Sequence, residues 1–325
     1  MNAAVLRERL ARGRAYLEQR FVEPERPPVA VEVRERSIGV VRVVRHRGDV
    51  SLGAAALVEL PPGVVGLSMT EPNIKDAAAF TRTLQSALEK AGASGGQRVA
   101  LVLPDPVARI ALVPSAEVAA KKRAQVEELI RFKARKSVPF DIREARLAYL
   151  PGAAVGSDQT LVAAIARPVL EGYEAACRAV KLEPGLVELA GPALLAAAFE
   201  GLPAADRLLV NWDDGYFSLV LARGAWPLLV RTISGEPASS PAEVAREVSN
   251  TVLYYRERLG GRGLAAAVLR SAFLPVAEAT SLLAGPLGQA PAILDGLVGL
   301  KGAEPGGVAS HLLAGAIASA RGRFQ

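Results

Sequence analysis

Few residues of this sequence have the types and spacing that catalysis requires. The two histidines, His46 in a predicted turn and His311 at a predicted helix start, are far apart, and neither lies beside a cysteine or an acidic cluster. Cys177 is the only cysteine, and its apolar helical neighbours predict a buried structural thiol rather than a nucleophile. The acidic pairs at 127–128 and 213–214 are more typical of solvated or capping residues than of a general acid and base. The sequence therefore predicts no catalytic residue and no metal ligand.

Composition and the absence of familiar motifs narrow the class of function. The chain has 39 basic and 33 acidic residues, and its net charge of +6 is compatible with an anionic partner. No zinc, helix-turn-helix or RNA-motif spacing occurs, and few aromatic residues are interleaved with the arginines, so no nucleic-acid partner is expected. The sequence contains neither of two familiar catalytic motifs, the Gly-x-x-x-x-Gly-Lys-Ser/Thr loop and the His-Glu-x-x-His motif. A solvated, arginine-rich surface is the simplest interpretation of the charge.

The N-terminal region predicts a separate element. Residues Asn2 to Gln19 have the pattern of an amphipathic basic helix, and the proline-rich stretch 23–28 ends it as a stiff linker. Such a helix can dock on a partner, on anionic lipid or on its own domain, and the sequence leaves these alternatives open. No signal core and no run of about 18 apolar residues occurs, so we expect a cytoplasmic protein.

Two meanders of three short strands each indicate an internal duplication. Apolar runs separated by polar turns occur at 29–33, 38–44 and 52–60, and again at 208–210, 217–221 and 227–231. Helical sequence follows each meander, and a charged helix with two short strands interrupts the first half. The pattern predicts an α/β protein of two duplicated α/β domains with an inserted small α/β subdomain.

The predicted domain boundaries follow from these elements. They are an N-terminal helix and linker at 1–28, a first domain at 29–204 that includes the inserted subdomain 114–182, a second domain at 205–307, and a C-terminal helix at 308–325 that returns to the first domain.

In this order of elements the chain resembles the actin-like ATPase superfamily. Within it, the chain is most similar to the PilM-like proteins of type IV pilus assembly and to the related cytoplasmic domain of the GspL proteins of type II secretion. The most specific match is the segment 127–141, a helix that ends in the turn Pro139-Phe140-Asp141, and the segments 219–224 and 227–231 match the family's second meander. The resemblance covers residues 29–321 and implies the actin-like ATPase fold.

The resemblance implies an ATP site between the two halves, but its motifs are degenerate here. The family places an aspartate and a nearby glycine at the polar turn of each meander. An ungapped match puts Glu32 and Arg34 at these positions in the first meander, and Asn211 and Asp213 in the second. The glycine pair that receives adenosine is replaced by a segment that contains Ser271. A side chain at a glycine position obstructs the approach of phosphate.

These departures predict that ATP and Mg²⁺ binding is reduced or lost. Any site that remains would contain Glu32, Asn211, Asp213 and Ser271. A slip of two residues in the second turn would restore an Asp-x-Gly spacing at 213–215. The alternative is therefore a functional actin-like ATP-binding protein whose nucleotide state regulates the assembly of the pilus machinery; a sugar kinase of the same superfold fits less well.

By resemblance, the protein is a cytoplasmic scaffold of a type IV pilus or related secretion machine, held at the inner membrane through its partners. It would bind the short N-terminal cytoplasmic segment of a PilN-like membrane protein, and also other inner-membrane pilus components and motor proteins. We expect the groove to lie between the first main subdomain and the inserted one. Its expected apolar floor is Ile130, Phe132, Val138, Pro139 and Phe140, flanked by Arg131 and Arg135 for acidic groups. The alternative interpretation of the apolar set is core packing of the inserted subdomain.

Overall fold

A computed structural model describes residues 26–46, 49–93, 95–118, 121–152, 157–199, 201–224, 226–301 and 307–322. The predicted N-terminal helix, Asn2 to Gln19, lies outside the described residues.

The described residues form three β-sheets. Their strands are β1 (Val29–Val33), β2 (Ser37–His46), β3 (Asp49–Glu59), β4 (Arg98–Leu103), β5 (Ala108–Pro114), β6 (Ala145–Leu150), β7 (Gln159–Ala166), β8 (Glu183–Leu189), β9 (Asp206–Asp213), β10 (Tyr216–Arg223), β11 (Trp226–Ser234), β12 (Ala266–Ser271) and β13 (Ala292–Ile293). The α-helices are α1 (Ala77–Lys90), α2 (Ser115–Val118), α3 (Arg123–Ala134), α4 (Arg167–Ala179), α5 (Ala190–Phe199), α6 (Pro241–Arg258), α7 (Val276–Leu287) and α8 (Ala314–Arg321). None of the described helices combines the length and the apolar character needed to cross a membrane.

The two large sheets have the same topology. The first has the strand order β3-β2-β1-β4-β8 and the second has the order β11-β10-β9-β12-β13. In each sheet a three-stranded antiparallel meander continues into two parallel strands. The predicted duplication is therefore confirmed, and each half can be compared with the other strand by strand.

Strand register shows which residues are equivalent in the two halves. Glu32 lies opposite Gly39 of β2, one pair before the end of the hairpin ladder. Asn211 lies opposite Ser218 of β10 and beside Arg270 of β12. Glu32 and Asn211 thus occupy matching places in the two halves. A polar residue lies two positions after each of them, and the hairpin turn follows that residue directly.

Helices cover both faces of the first sheet. Phe80 and Leu84 of α1 pack with Tyr173 of α4 on one face. On the other face, Ile317 of α8 packs in a cluster with Ala30 of β1. Helices α5 and α8 also share a buried cluster with strands β9 and β10, so they lie between the two large sheets and join the two halves. The second sheet is covered on its outer face by α6 and α7.

The inserted subdomain is a three-stranded antiparallel sheet, β5-β7-β6, packed against α2 and α3. Its first strand begins at Ala108, ahead of the predicted boundary at Pro114, because a short 3-10 turn at Asp105–Val107 connects it directly to β4. The sequence predicted one helix over residues 116–135, but α3 starts anew at Arg123. Lys122 has an extended backbone, with φ −69° and ψ 153°, and therefore cannot continue a helix.

Strand β8 was not predicted. It contains Pro184 and Gly185, two residues that are depleted in strands, and these hide the short apolar run that follows them. Proline is tolerated here because β8 is at the edge of the first sheet.

Candidate functional site

A buried arginine joins the two halves of the protein. Arg270, at the end of β12, is 0% exposed, and its Nη2 donates to Glu32 Oε1 of the first domain at 2.7 Å. Its Nη1 donates to Asp213 Oδ2 at 2.8 Å and to Asn211 Oδ1 at 2.7 Å. Its Nε donates to the backbone carbonyl of His311 at 3.1 Å. We name these residues, Arg270 with Glu32, Asn211 and Asp213, the arginine clasp.

The C-terminal helix completes the arginine clasp. The second carboxylate oxygen of Glu32 accepts a hydrogen bond at 3.0 Å from the backbone nitrogen of Ala316, in the first turn of α8. A helix N-terminus stabilises a carboxylate in this position. Gly315 allows the approach, because a Cβ at this residue would lie 2.7 Å from Glu32 Oε2. Glu32 is thus held by the second domain and by the C-terminal segment at once.

Arg270 carries its charge in this environment. Burial alone would lower the pKa of its guanidinium, but the carboxylates of Glu32 and Asp213 outweigh burial and raise the pKa above its ordinary value. A buried ion pair of this kind depends on the presence of every partner, because a single uncompensated charge in the interior is costly.

The residues present do not fit ATP with Mg²⁺. Each carboxylate oxygen of Glu32 already accepts a hydrogen bond from within the protein, so the water shell of a metal ion would have to compete with these donors. Arg34, at the family's first glycine position, is 3% exposed and donates to the carbonyl of Leu312 at 3.0 Å. Within the described residues, no group of three or more His, Cys, Asp or Glu side chains is placed to hold a metal ion.

Carboxylates from both hairpin turns meet at the junction of the two halves. Burial and the neighbouring carboxylate of Asp214 raise the pKa of Glu35, and burial and the carboxylate of Asp213 raise the pKa of Asp214. The Glu35 side chain approaches Gly215 so closely that a Cβ on this glycine would collide with it. The carboxylates of Glu35, Asp213 and Asp214 disfavour phosphate groups here, although the guanidinium groups of Arg34 and Arg36 offset part of this effect.

Ser271, the fourth residue of the predicted degenerate ATP site, does not join the arginine clasp directly. Its hydroxyl donates to the carbonyl of Leu274 at 2.7 Å and accepts from the nitrogen of the same residue, so it stabilises the turn after β12. The structure therefore brings together Glu32, Asn211 and Asp213 but leaves Ser271 in a local capping role.

A second buried link joins the halves beside the first. Asp105 accepts from the backbone nitrogen of Gly191 at 2.7 Å and from the hydroxyl of Ser218 in the second domain at 2.6 Å. Gly191 has no side chain, and a Cβ there would lie 2.9 Å from the Asp105 carboxylate. Burial raises the pKa of Asp105 to about 6, although both hydrogen bonds oppose the shift.

Sequence reasoning did not assign roles to Arg270 and Asp105. One signal was available for each: a charged residue directly follows a wholly apolar run, residues 264–269 before Arg270 and 99–104 before Asp105. A charge at the end of a buried parallel strand needs a partner from a neighbouring element, and these two residues are bound across the domain boundary.

The predicted partner-binding residues fall into two groups. Ile130 is 1% exposed and belongs to the core of the inserted subdomain, so it is not available at a surface. Arg131 donates to the carbonyls of Ile142, Arg143 and Ala145 and thereby fixes the chain that follows α3. These two side chains have internal structural roles.

The remaining predicted residues are accessible to different degrees. Phe132 is 77% exposed, and Arg135 and Pro139 are also exposed. Val138 and Phe140 are half-buried. Phe140 packs against the core of the first domain and also against the small cluster around Ile142. The set therefore does not form one continuous apolar floor.

A cavity of about 390 Å³ lies where the inserted subdomain meets α5 and strand β11 of the second domain. Its walls include Leu150 and Leu161 of the inserted sheet, Ala193 and Ala196 of α5, and Trp226 and Pro227 of β11. An ion pair between Arg26 and Glu188, with 2.9 Å between the charged atoms, forms part of the wall. The indole Nε1 of Trp226 is buried and has no acceptor among the described residues.

The two duplicated sheets, the helices between them and the polar junction at their hairpins define the actin-like ATPase fold. Within this class, the structure is similar to that of the "PilM-PilN type IV pilus biogenesis complex", with a TM-score of 0.71 and 21% identity over 92% of this chain and 97% of that chain. The predicted fold and the predicted similarity to PilM are therefore confirmed.

Two further structures are similar over most of the chain. The cytoplasmic domain of EpsL, an inner membrane component of the type II secretion system of Vibrio cholerae, has a TM-score of 0.49 and 12% identity over 91% of this chain and 95% of its own. A protein of Bacteroides thetaiotaomicron with an actin-like ATPase fold has a TM-score of 0.48 and 8% identity over 83% of this chain and 91% of its own. No protein-family model and no curated protein sequence matches the chain.

Removal of Arg270 should destabilise the protein strongly. We expect Arg270→Met to lower the free energy of unfolding by about 3–5 kcal/mol, because Glu32 and Asp213 would remain buried without their partner. The additional substitutions Glu32→Gln and Asp213→Asn should restore more than half of this loss. Urea unfolding measures both effects, with Arg256→Met on the exposed end of α6 as the control. A loss below about 1 kcal/mol would show that the arginine clasp contributes little.

The stability contributed by Asp105 should depend on pH. Its pKa is raised to about 6 in the folded protein from 3.8, so the folded state binds more protons between these values and loses stability as pH rises through 6. We expect the melting temperature of Asp105→Asn, relative to wild type, to increase from pH 4.5 to pH 7.5. Asp141→Asn is the control, because the pKa of Asp141 is lowered to about 2 and it does not titrate in this range. A difference independent of pH would contradict the assignment.

Phe140 and Phe132 should differ in their effect on stability. We expect Phe140→Ala to lower the free energy of unfolding by about 2–3 kcal/mol, since its ring packs against two cores. Phe132→Ala should change it by less than about 0.5 kcal/mol because the ring is exposed. Urea unfolding of the two variants in parallel is the measurement, and equal effects would show that one of these environments is wrongly described.

Proposed function

We propose that the protein is a scaffold of the inner-membrane assembly complex of a type IV pilus or a related secretion machine, and that it works without ATP. In this role it binds the short N-terminal cytoplasmic segment of a PilN-like membrane protein. The arginine clasp is the observation that carries this proposal. A guanidinium from the protein itself occupies the junction at which the fold family binds its nucleotide.

Two features support the loss of nucleotide binding: the charges at the junction and the occupation of its space by Arg270. Glu32 and Asp213 both form ion pairs with Arg270, so a metal ion would have to compete with a guanidinium for these carboxylates. Opening this junction for ATP would break two buried ion pairs and place phosphates beside the carboxylates of Glu35 and Asp214. Each of these changes opposes binding, and together they would weaken the affinity for ATP by several orders of magnitude.

The partner is supported by the similarity to the PilM–PilN complex, in which PilM is found together with PilN. A protein with this fold and a PilN-like partner would lie in the cytoplasm at the inner membrane, held there by its partners. Other inner-membrane components of the pilus and its motor proteins are further binding partners in this proposal.

The cavity is the better candidate for the peptide site. An extended peptide in a groove needs apolar pockets for its side chains and polar groups for its backbone. The cavity offers both, since its walls are mainly apolar and the buried Nε1 of Trp226 is a donor that has no acceptor among the residues the structure describes. On the face of α3 around Phe132, by contrast, Ile130 and Val138 contribute to the core beneath the surface, so they offer a peptide little accessible apolar area.

The test uses a synthetic peptide of the N-terminal cytoplasmic segment of the PilN-like protein from the same organism. We expect this peptide to raise the melting temperature of the full chain, whereas millimolar ATP with Mg²⁺ should not, because only a ligand of the native state stabilises it. Ala196→Phe, which fills the cavity, should weaken the affinity for the peptide at least about tenfold, a loss of roughly 1.4 kcal/mol. Fluorescence anisotropy of the labelled peptide measures this loss.

Phe132→Ala is the matched variant outside the cavity, and it should bind the peptide as the wild type does. If Phe132→Ala loses the peptide and Ala196→Phe does not, the peptide site lies on α3 and the cavity assignment is wrong. A clear shift with ATP and Mg²⁺ would instead favour a regulated actin-like ATP-binding protein. Absence of any peptide binding would overturn the scaffold proposal.

A further inference from the structure

Almost the whole net charge of the chain is concentrated in one short segment. Residues 121–146 contain nine basic residues and four acidic residues, a net charge of +5, whereas the complete chain of 325 residues has +6. This segment comprises α3, the turn that follows it and the start of β6. The inserted subdomain is therefore strongly basic on a protein that is otherwise close to neutral.

Internal contacts neutralise only part of this charge. Arg123 pairs with Glu127, Lys133 with Glu117 and Arg143 with Asp141, at distances of 2.6–2.9 Å. Arg131 is occupied by backbone carbonyls, as described above. Five exposed basic side chains of this segment form no salt bridge with the described residues, and they are Lys121, Lys122, Arg135, Lys136 and, on β6, Arg146. Two of them lie just before α3 and two lie just after it.

An exposed aromatic ring lies between these two pairs. Phe132 is 77% exposed, more than any other large apolar side chain among the described residues. Val126, Ile130 and Ala134 of α3 face the core, and the spacing of 3.6 residues per turn places Phe132 and Arg135 on the opposite side. We name the surface formed by Lys121, Lys122, Phe132, Arg135 and Lys136 the basic face.

We propose that the basic face binds directly to the surface of an anionic phospholipid bilayer. Helix α3 has cations at both ends and one aromatic ring between them. This arrangement matches the charged and apolar layers of such a bilayer. The cations reach the headgroups, and the ring enters the boundary between headgroups and acyl chains. The twelve residues of α3 span roughly 18 Å, so the two cation pairs can contact different lipids at the same time.

The contact is weak and reversible. One exposed carboxylate, Glu128, lies on the outward side of α3, one turn from Phe132, and it reduces the positive potential there. Attraction between exposed charges is also screened at physiological ionic strength. The bilayer contact therefore orients a protein that another component recruits, and it places the inserted subdomain against the membrane.

This inference goes beyond the proposed function, because it needs neither the cavity nor the peptide. Peptide binding is altered by Ala196→Phe, on α5, whereas bilayer binding is altered by substitutions on the basic face. Each of the two proposals can consequently fail while the other holds.

Cosedimentation of the full chain with lipid vesicles tests the proposal. We expect binding to vesicles in which about one third of the phosphatidylcholine is replaced by phosphatidylglycerol, and no binding to phosphatidylcholine alone. High salt should abolish the binding. Arg135→Glu/Lys136→Glu should weaken it by about tenfold or more, and Phe132→Ala should weaken it by about threefold. The melting temperature of each variant checks that it is folded.

The matched control is Arg256→Glu/Arg258→Glu, which changes the net charge by the same amount at the exposed end of α6. This control should bind the anionic vesicles as the wild type does. The proposal is overturned if the wild type does not bind anionic vesicles, as expected for a basic face that recognises an acidic protein instead. It is also overturned if the control and the Arg135→Glu/Lys136→Glu variant lose binding equally, or if the latter binds normally.

Discussion

A single guanidinium, that of Arg270, determines how the two halves of this protein meet. It forms an ion pair with one carboxylate from each half, and both would otherwise be buried without a charged partner. Other features accommodate it: Gly315 has no side chain where the backbone of α8 approaches Glu32, and the carbonyl of His311 accepts the remaining guanidinium hydrogen bond. This pairing links the C-terminal segment to both halves and holds the two domains together.

When a side chain takes the place of a ligand, an interdomain junction no longer responds to the concentration of that ligand in the cell. A nucleotide closes a cleft to an extent set by its concentration, whereas a side chain is always present beside its partners. The link through Asp105 and Ser218 adds a second fixed connection a short distance away. In the proposed scaffold role, such a junction keeps the outer surfaces of the protein in a constant relation, which suits a component that positions other proteins.

The architecture was largely predictable from sequence because it rests on patterns along the chain. Alternating apolar runs and short polar turns revealed both meanders, and the ungapped match placed Glu32 and Asn211 at equivalent positions, as the strand register shows. The arginine clasp was not predictable in this way. It depends on the parallel pairing of β9 with β12, whose residues Asn211 and Arg270 are 59 positions apart.

The expected partner site shows a similar limit. Ile130 and Phe132 are two residues apart and both apolar, yet one is core and the other exposed. Helical periodicity from Val126 and Ala134 distinguishes them, but the break before Arg123 and the internal bonds of Arg131 appear only in three dimensions. The groove was expected between the first main subdomain and the inserted one, whereas the walls of the cavity come from segments that the sequence did not connect: β6, β7, α5 and β11.

Helix α8 has a consequence for how the chain folds. It covers one face of the first sheet, whose strands begin near the N-terminus, and it supplies the backbone donor for Glu32. Arg270, the partner of Glu32, is synthesised 238 residues after it. At ordinary translation rates this separation corresponds to an interval of about 10–50 s. Until then the nascent first domain carries an unpaired acidic residue and a bare apolar surface. The first sheet therefore reaches its complete native packing only after residues 314–321 have left the ribosome.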